Sequence, residues 1–362
     1  MLTPEQLIDI PQNIIELSRE LELELLKDIG DRLRVLEPNL RSPTIDWKLK
    51  KIKEMTLYDK FIKQKLQEFS GRGIAEIETL LNNALENSLK TDNVLFVKTD
   101  TKFVYALNND NFLKVLNTAK KLATNDFKNM SKTLAFNGQI PKEFYNKTLD
   151  YAHLKLKSGA YSISEVVRDT AQKVRASGLQ TVDYESGYRV NIETAVRRNI
   201  MGTLNNSTDE MSQRNAKALD TDMFEVSAHF NARPDHAIWQ GKVYTSEQLI
   251  SVCGHGTGAG LEGWNCRHQK FPYIKGVSRR VYTDEELKTL HTPDFTYDGV
   301  KYTGYEATQR QRQIESRIRA LQRSYAVMQD KATRKLIQQD KRLYNDFSDK
   351  AGLKLQKERF VA

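Results

Sequence analysis

A chain of 362 residues and 41.7 kDa, 39% hydrophobic and 28% charged, is long enough for two or three domains around a sizeable core. Its 18 glycines and 8 prolines argue against a disordered or collagen-like polymer, and two cysteines cannot staple so long a chain as a disulfide scaffold. No run approaches the ~18 apolar residues of a membrane span. The first thirty residues set seven acidic side chains against Arg19 and Lys27, the reverse of a secretory leader. The expectation is a protein made and kept in a reducing cytoplasm, or packed into something assembled there, with no membrane contact. The formal net charge is +9, and residues 299–362 carry fifteen basic against seven acidic groups. A basic tail suggests a polyanionic partner such as nucleic acid, or else a solvated helix face.

Thr3-Pro4 reads as an N-cap followed by proline at the first helical position. Ile14, Leu17, Leu21, Leu25, Ile29 and Leu33 then recur at helical spacing. Further helices are predicted from about Trp47 to Phe69, Ile74 to Leu89 and Asn111 to Phe127, with Pro38 to Pro43 and Gly71-Arg72-Gly73 as loops. Another helix begins near Asn191, with Ile192, Val196, Ile200 and Leu204 on one face. Residues 1–220 are therefore expected to form a mainly α structural region.

The period changes at Phe224, Val226, Ala228 and Phe230, which alternate with Glu225, Ser227 and His229 as in a half-buried strand. His229 should then share a polar face with Glu225 and Ser227. Asp298-Gly299 reads as a two-residue hairpin turn between short strands. Residues 221–304 are expected to be a small His/Cys-rich α+β module. Residues 305–362 are expected to be a basic terminal helix and tail, the helix running to about 345. Its seam is Ile314, Ile318, Leu321, Tyr325, Met328 and Ala332.

Five of the six histidines and both cysteines lie within residues 229–291. Nitrogen and sulfur ligands of these types suit zinc or a late transition metal. Cys266-Arg267-His268 and Cys253-Gly254-His255 share a C-x-H spacing that projects both ligands to one side of an extended turn, and His229 and His236 could complete a tetrahedral set. A metal-free, hydrogen-bonded cluster is the other reading of the same residues. A third is catalytic: His229 and His236 as proton shuttles with Arg233 stabilising a phosphate would make a metal-independent nuclease, whereas Arg233-Pro234-Asp235-His236 as a salt-bridged turn would be structural. No Walker-type loop, nucleophile elbow or dinucleotide fingerprint occurs, and the glycine-rich 255–260 segment reads as a loop.

Taken together, the blocks Ala232-Arg233-Pro234-Asp235-His236, Trp239-Gln240-Gly241-Lys242-Val243-Tyr244, Gly263-Trp264-Asn265-Cys266-Arg267-His268 and Phe271-Pro272-Tyr273 resemble phage minor capsid proteins of the head-morphogenesis type. Tyr188-Arg189-Val190, Ala195-Val196-Arg197-Arg198 and Tyr305 to Arg312 with Ile318-Arg319 are similar as well, so the likeness runs over about 184–323. The resemblance implies a minor head component of a tailed bacteriophage, at the capsid interior or portal vertex after assembly in the host cytoplasm. Its implied partners are the portal protein, a major capsid or scaffold protein, and double-stranded DNA during packaging or ejection. It also implies an alternative, a nucleic-acid-cleaving or toxin-like enzyme in the C-terminal module. Carried over by position, the matched residues are His229, Arg233, His236, Trp239, Gln240, Gly241, Asn265, Cys266, Arg267 and His268. Cys253 and His255 stand where other residues are expected, and Glu262 where a cysteine often sits. The metal set so implied is His229, His236, Cys266 and His268, with zinc as the ion. Arg310, Arg312, Arg317, Arg319 and Arg323 are the expected DNA or partner surface.

Overall fold

Thr3 caps the first helix in a reciprocal box with Gln6, as predicted, and Pro4 sits at its first position. The computed structural model describes residues 2–99, 110–183 and 186–360. Met1 and residues 100–109, 184–185 and 361–362, which the expected regions include, lie outside the described residues. After α1 (Pro4–Asp9) comes α2 (Gln12–Val35), burying the stripe Ile14, Leu21, Leu25, Ile29 and Leu33. The proline-punctuated segment holds one short turn, α3 (Glu37–Leu40).

The loop expected at Gly71-Arg72-Gly73 is absent: α4 (Thr44–Thr99) runs through it as one helix of 56 residues. The reason lies in packing. A Cβ on Gly73 would collide with the Phe127 ring of α5 (Asp110–Lys132), so this glycine permits a close helix crossing rather than a turn. Next come β1 (Leu134–Phe136), α6 (Pro141–Lys157), α7 (Ile163–Arg175), β2 (Leu179–Val182) and β3 (Arg189–Asn191). The three strands form an antiparallel sheet with β2 in the middle. Asn191 then caps α8 (Ile192–Ala218) by accepting from the Glu193 amide. One large apolar cluster joins these helices, and Val327 from far down the chain completes it.

The module begins with β4 (Met223–Val226), followed by α9 (Pro234–Ala237), β5 (Val243–Thr245), α10 (Ser246–Ser251) and β6 (Lys270–Pro272). β4 lies between β5 and β6, antiparallel to both. The predicted strand is thus shorter, and its polar side is not a solvent face: Glu225, Ser227 and His229 are all buried. A central strand is covered on both sides, so alternation here separates an apolar interior from a polar one. After α11 (Asp284–Lys288), β7 (Phe295–Tyr297) and β8 (Val300–Tyr302) form the predicted hairpin, with Asp298 and Gly299 both at positive φ.

The terminal helix is present but broken in two. α12 (Gly304–Met328) ends on Gln329 in the left-handed conformation, and Asp330 caps α13 (Lys331–Lys350). Ile314 and Ile318 of the predicted seam pack on Tyr344 and Phe347 of α13 and on Phe360. The other end of α12 reaches α2, where a Cβ on Gly30 would strike the Val327 backbone. Overall the protein is mainly α, with a small α+β module and a helical C-terminal segment folded onto the rest.

Candidate metal centre and adjoining cleft

Three of the four expected ligands converge. His236 comes from α9, while Cys266 and His268 flank the turn leading into β6; all three are buried. The His236 and His268 Nδ1 atoms are 3.3 Å apart, and Cys266 Sγ lies 3.8 Å and 3.6 Å from them. Tetrahedral zinc with bonds of ~2.0–2.1 Å to nitrogen and ~2.3 Å to sulfur spaces its ligands by about 3.3–3.6 Å. Two edges of the triangle match one face of such a site, and the Cys266–His236 edge, at 3.8 Å, is slightly longer.

Hydrogen bonds orient the rings. Gln240 Oε1 accepts the His229 backbone N–H at 3.0 Å, which identifies that atom as the oxygen. His268 Nε2 lies 3.0 Å from the same oxygen and must donate to it, leaving its Nδ1 a bare lone pair directed at the triangle. His236 Nε2 lies 2.9 Å from the Ala259 carbonyl and also against the Arg233 guanidinium; donating to the carbonyl it leaves an Nδ1 lone pair facing inward, and accepting from Arg233 it leaves an Nδ1–H there. The His268 amide points at Cys266 Sγ from 3.4 Å. In the first state two lone pairs and a sulfur face one another and call for a cation; in the second the His236 Nδ1–H donates to His268 Nδ1 and the cluster closes as a hydrogen bond. Partner groups on the outer nitrogens are the usual support of ligating histidines. Burial pushes the Cys266 thiol up to about 11, and it keeps His236 and, more strongly, His268 below the ordinary imidazole range, hence neutral.

His229 does not join the triangle. Its ring stacks on His268 with centroids 4.5 Å apart, and its Nδ1 lies 3.0 Å from the Phe230 carbonyl and 3.3 Å from the Arg267 guanidinium. Burial, with the Arg267 cation next, pushes it down to about 3. The second C-x-H doublet is split. Cys253 is packed among Phe224, Trp239 and Leu261, while His255 pairs with Glu262 at 3.1 Å and Asp209 at 3.4 Å. The Lys270 ammonium sits between those two carboxylates, 2.8 Å from Glu262, so the cationic position is filled by a side chain. That pairing explains the glutamate at 262.

His229, His236, Arg233, Cys266 and Arg267 also line a cleft of about 480 Å³. Its other walls come from α1 and the start of α2, the start of α8, one face of α12 and the 3₁₀ turn Lys357–Arg359. The five arginines expected as one surface are not brought together. Arg312 and Arg319 face the cleft, Arg317 is bonded to Asp340 of α13, and Arg310 contacts Gln313. Arg323 is buried, donating to the Arg175 carbonyl at 3.0 Å and pairing with Glu22 at 3.5 Å. A face that packs two partner helices cannot present every arginine outward. Arg19, Arg197 and Arg359 complete the cleft; Arg197 stood out in the sequence only as part of a family-like block, and none of the three was given a site role, because they are scattered along the chain. One signal was available: Tyr305, Thr308, Gln309, Arg312 and Arg319 form a polar helical face beside the apolar seam.

The fold is that of a mainly helical protein with a small α+β module, in whose interior His236, Cys266 and His268 lie together. The chain belongs to the phage minor capsid protein 2 family, whose sequence pattern matches residues 2–348. It is also 26% identical over 156 residues to a structural protein of Lactococcus phage LL-H, an alignment covering 39% of this chain and 42% of that protein. The match thus spans less than half of the relative's length. No solved structure matches. The family makes this a virion protein of a bacteriophage, and among the described residues no helix is long and apolar enough to cross a membrane.

Proposed function

We propose that this minor capsid protein is a structural part of the phage head near the portal vertex, at the capsid interior. There it serves head assembly and DNA packaging or ejection, with the portal protein, a major capsid or scaffold protein, and double-stranded DNA as neighbours. Its His236, Cys266 and His268 hold a zinc ion that fastens the module. The observation carrying this reading is the ligand triangle itself: it is buried, and its outer nitrogens are taken up by the fold. It links α9, the 259 loop and β6, elements too short to hold one another by strand pairing alone. With His236 engaged on both nitrogens and His229 stacked on His268, the two imidazoles are not free to act as an acid–base pair, which favours fastening over nuclease chemistry.

Metal analysis of the purified protein should find one equivalent of zinc, and Cys266→Ser should lose it along with thermal stability. Metal-free wild-type protein with an unchanged melting temperature after chelation would refute the fastener. Cross-linking of assembled heads should join this chain to the portal; links confined to the outer capsid surface would refute the placement. Cleavage of nucleic acid that disappears in both His229→Ala and Arg233→Ala would establish the hydrolase reading instead.

A further inference from the structure

Independently of the metal, the cleft carries a charge imbalance. Arg197 of α8, Arg267 of the β6 approach and Arg312 of α12 all line it, and none pairs with a carboxylate among the described residues. The two carboxylates in its lining are already engaged. Glu193 meets Arg19 at 3.3 Å and Arg319 at 3.6 Å, and Glu315 meets Arg359 at 3.4 Å. Three guanidinium groups thus converge, partly out of water, on one space of about 480 Å³. Desolvation, and then repulsion from Arg359 and Arg312, holds Arg197 down to about 10. Glu193 partly offsets Arg197, and Glu315 partly offsets Arg312, but both carboxylates are shared with Arg19, Arg319 and Arg359, so the lining keeps a surplus of positive charge.

The compensating ligand can be described by its chemistry. Planar guanidinium forks recognise phosphate oxygens in bidentate fashion, and the Tyr305, Thr194 and Gln309 side chains add neutral polar groups to the lining. A space of this size suits a small ligand rather than a duplex, which is ~20 Å across. We propose that the cleft binds a short run of two or three adjacent phosphate groups, carried by a nucleoside polyphosphate or by the end of a nucleic-acid strand. The site is assembled from three distant parts of the chain, so the bound anion also locks α8, the module and α12 together.

Calorimetric titration of the full-length protein with inorganic tripolyphosphate, ATP, a 5′-phosphorylated single-stranded oligonucleotide and polyglutamate tests this. Tripolyphosphate should bind and raise the melting temperature. Arg197→Gln and Arg312→Gln should each weaken binding at least about tenfold, while Arg310→Gln, on the same helix but outside the cleft, should not. The tighter of ATP and the oligonucleotide identifies the source of the phosphates. Because the first two variants relieve repulsion, both should melt at or above the wild-type temperature without ligand. Three results would overturn the proposal: no heat with any phosphate probe, polyglutamate binding more tightly than tripolyphosphate, or equal loss of affinity in Arg310→Gln. A fall in unliganded melting temperature in both cleft variants would overturn it too, by showing the arginines to be structural.

Discussion

Gly71 and Gly73 lie two residues apart in α4, yet the same substitution should act on them with opposite sign. Gly71 is exposed and a Cβ there meets nothing within 4 Å, so Gly71→Ala removes backbone entropy from the unfolded chain at no steric cost. The gain should be ~0.5–1 kcal/mol. Gly73→Ala carries the same gain, but its methyl would overlap the Phe127 ring, which is fully buried and tilted against Phe69 at 5.1 Å. With no free space for the ring to enter, overpacking should cost near the upper end of the ~1–3 kcal/mol range. The net loss is then about 2 kcal/mol. Urea melts followed by helical circular dichroism, run on both variants in parallel, read the two signs directly. A Gly73→Ala protein as stable as wild type would refute the close crossing of α4 and α5. A destabilised Gly71→Ala would refute a continuous helix and restore the turn that the two glycines suggest in the sequence.

Other perturbations follow from the buried charges. Arg323→Ala should destabilise by ~3–5 kcal/mol, since it strands the Glu22 carboxylate in the core. The double variant Glu22→Gln/Arg323→Met should recover most of that in the same melts, and failure to recover would mean that the arginine acts through packing alone. His255 is raised to about 9, chiefly by its hydrogen bonds to Asp209 and Glu262. Its folded value lies above the ordinary ~6.5. The contribution is therefore complete below about pH 6.5 and fades as pH rises through 9. The melting temperature of wild type should fall over that window more steeply than that of His255→Asn; parallel curves would dismiss the pairing. Gln329→Gly should be stabilising by ~0.5–1 kcal/mol, because the residue sits at φ 52°. A loss in thermal melts would show that its contact with Asp31, 2.6 Å long, outweighs the backbone strain.

The helical body was legible because Ile14 to Leu33 and Ile192 to Leu204 keep one period and bury that face against a single core. What misled were residues whose role depends on a distant partner. Gly73 looks like a loop until Phe127 is beside it, and Glu225 looks exposed until β5 and β6 flank its strand. The sheet of β1, β2 and β3 left no trace, because three- and four-residue strands are too short to display a period. His236, Cys266 and His268 were legible by residue type, whereas the displacement of His229 depends on a ring stack that spacing does not encode.

The ion pair between Glu22 and Arg323 spans 301 positions of the chain, and the Arg19 guanidinium reaches the Glu358 carbonyl across 339. During synthesis, α2 therefore emerges with two charged groups whose partners do not yet exist. Earlier segments supply Glu193 to Arg19 and the Leu179 amide to Glu22, but the cation that balances Glu22 and the last carbonyl bonded by Arg19 come only with α12 and the final turn. Contacts of such sequence separation are the kind whose closure slows folding. A chain built this way completes its main core only when α12 is present, since Val327 belongs to the same apolar cluster as α2.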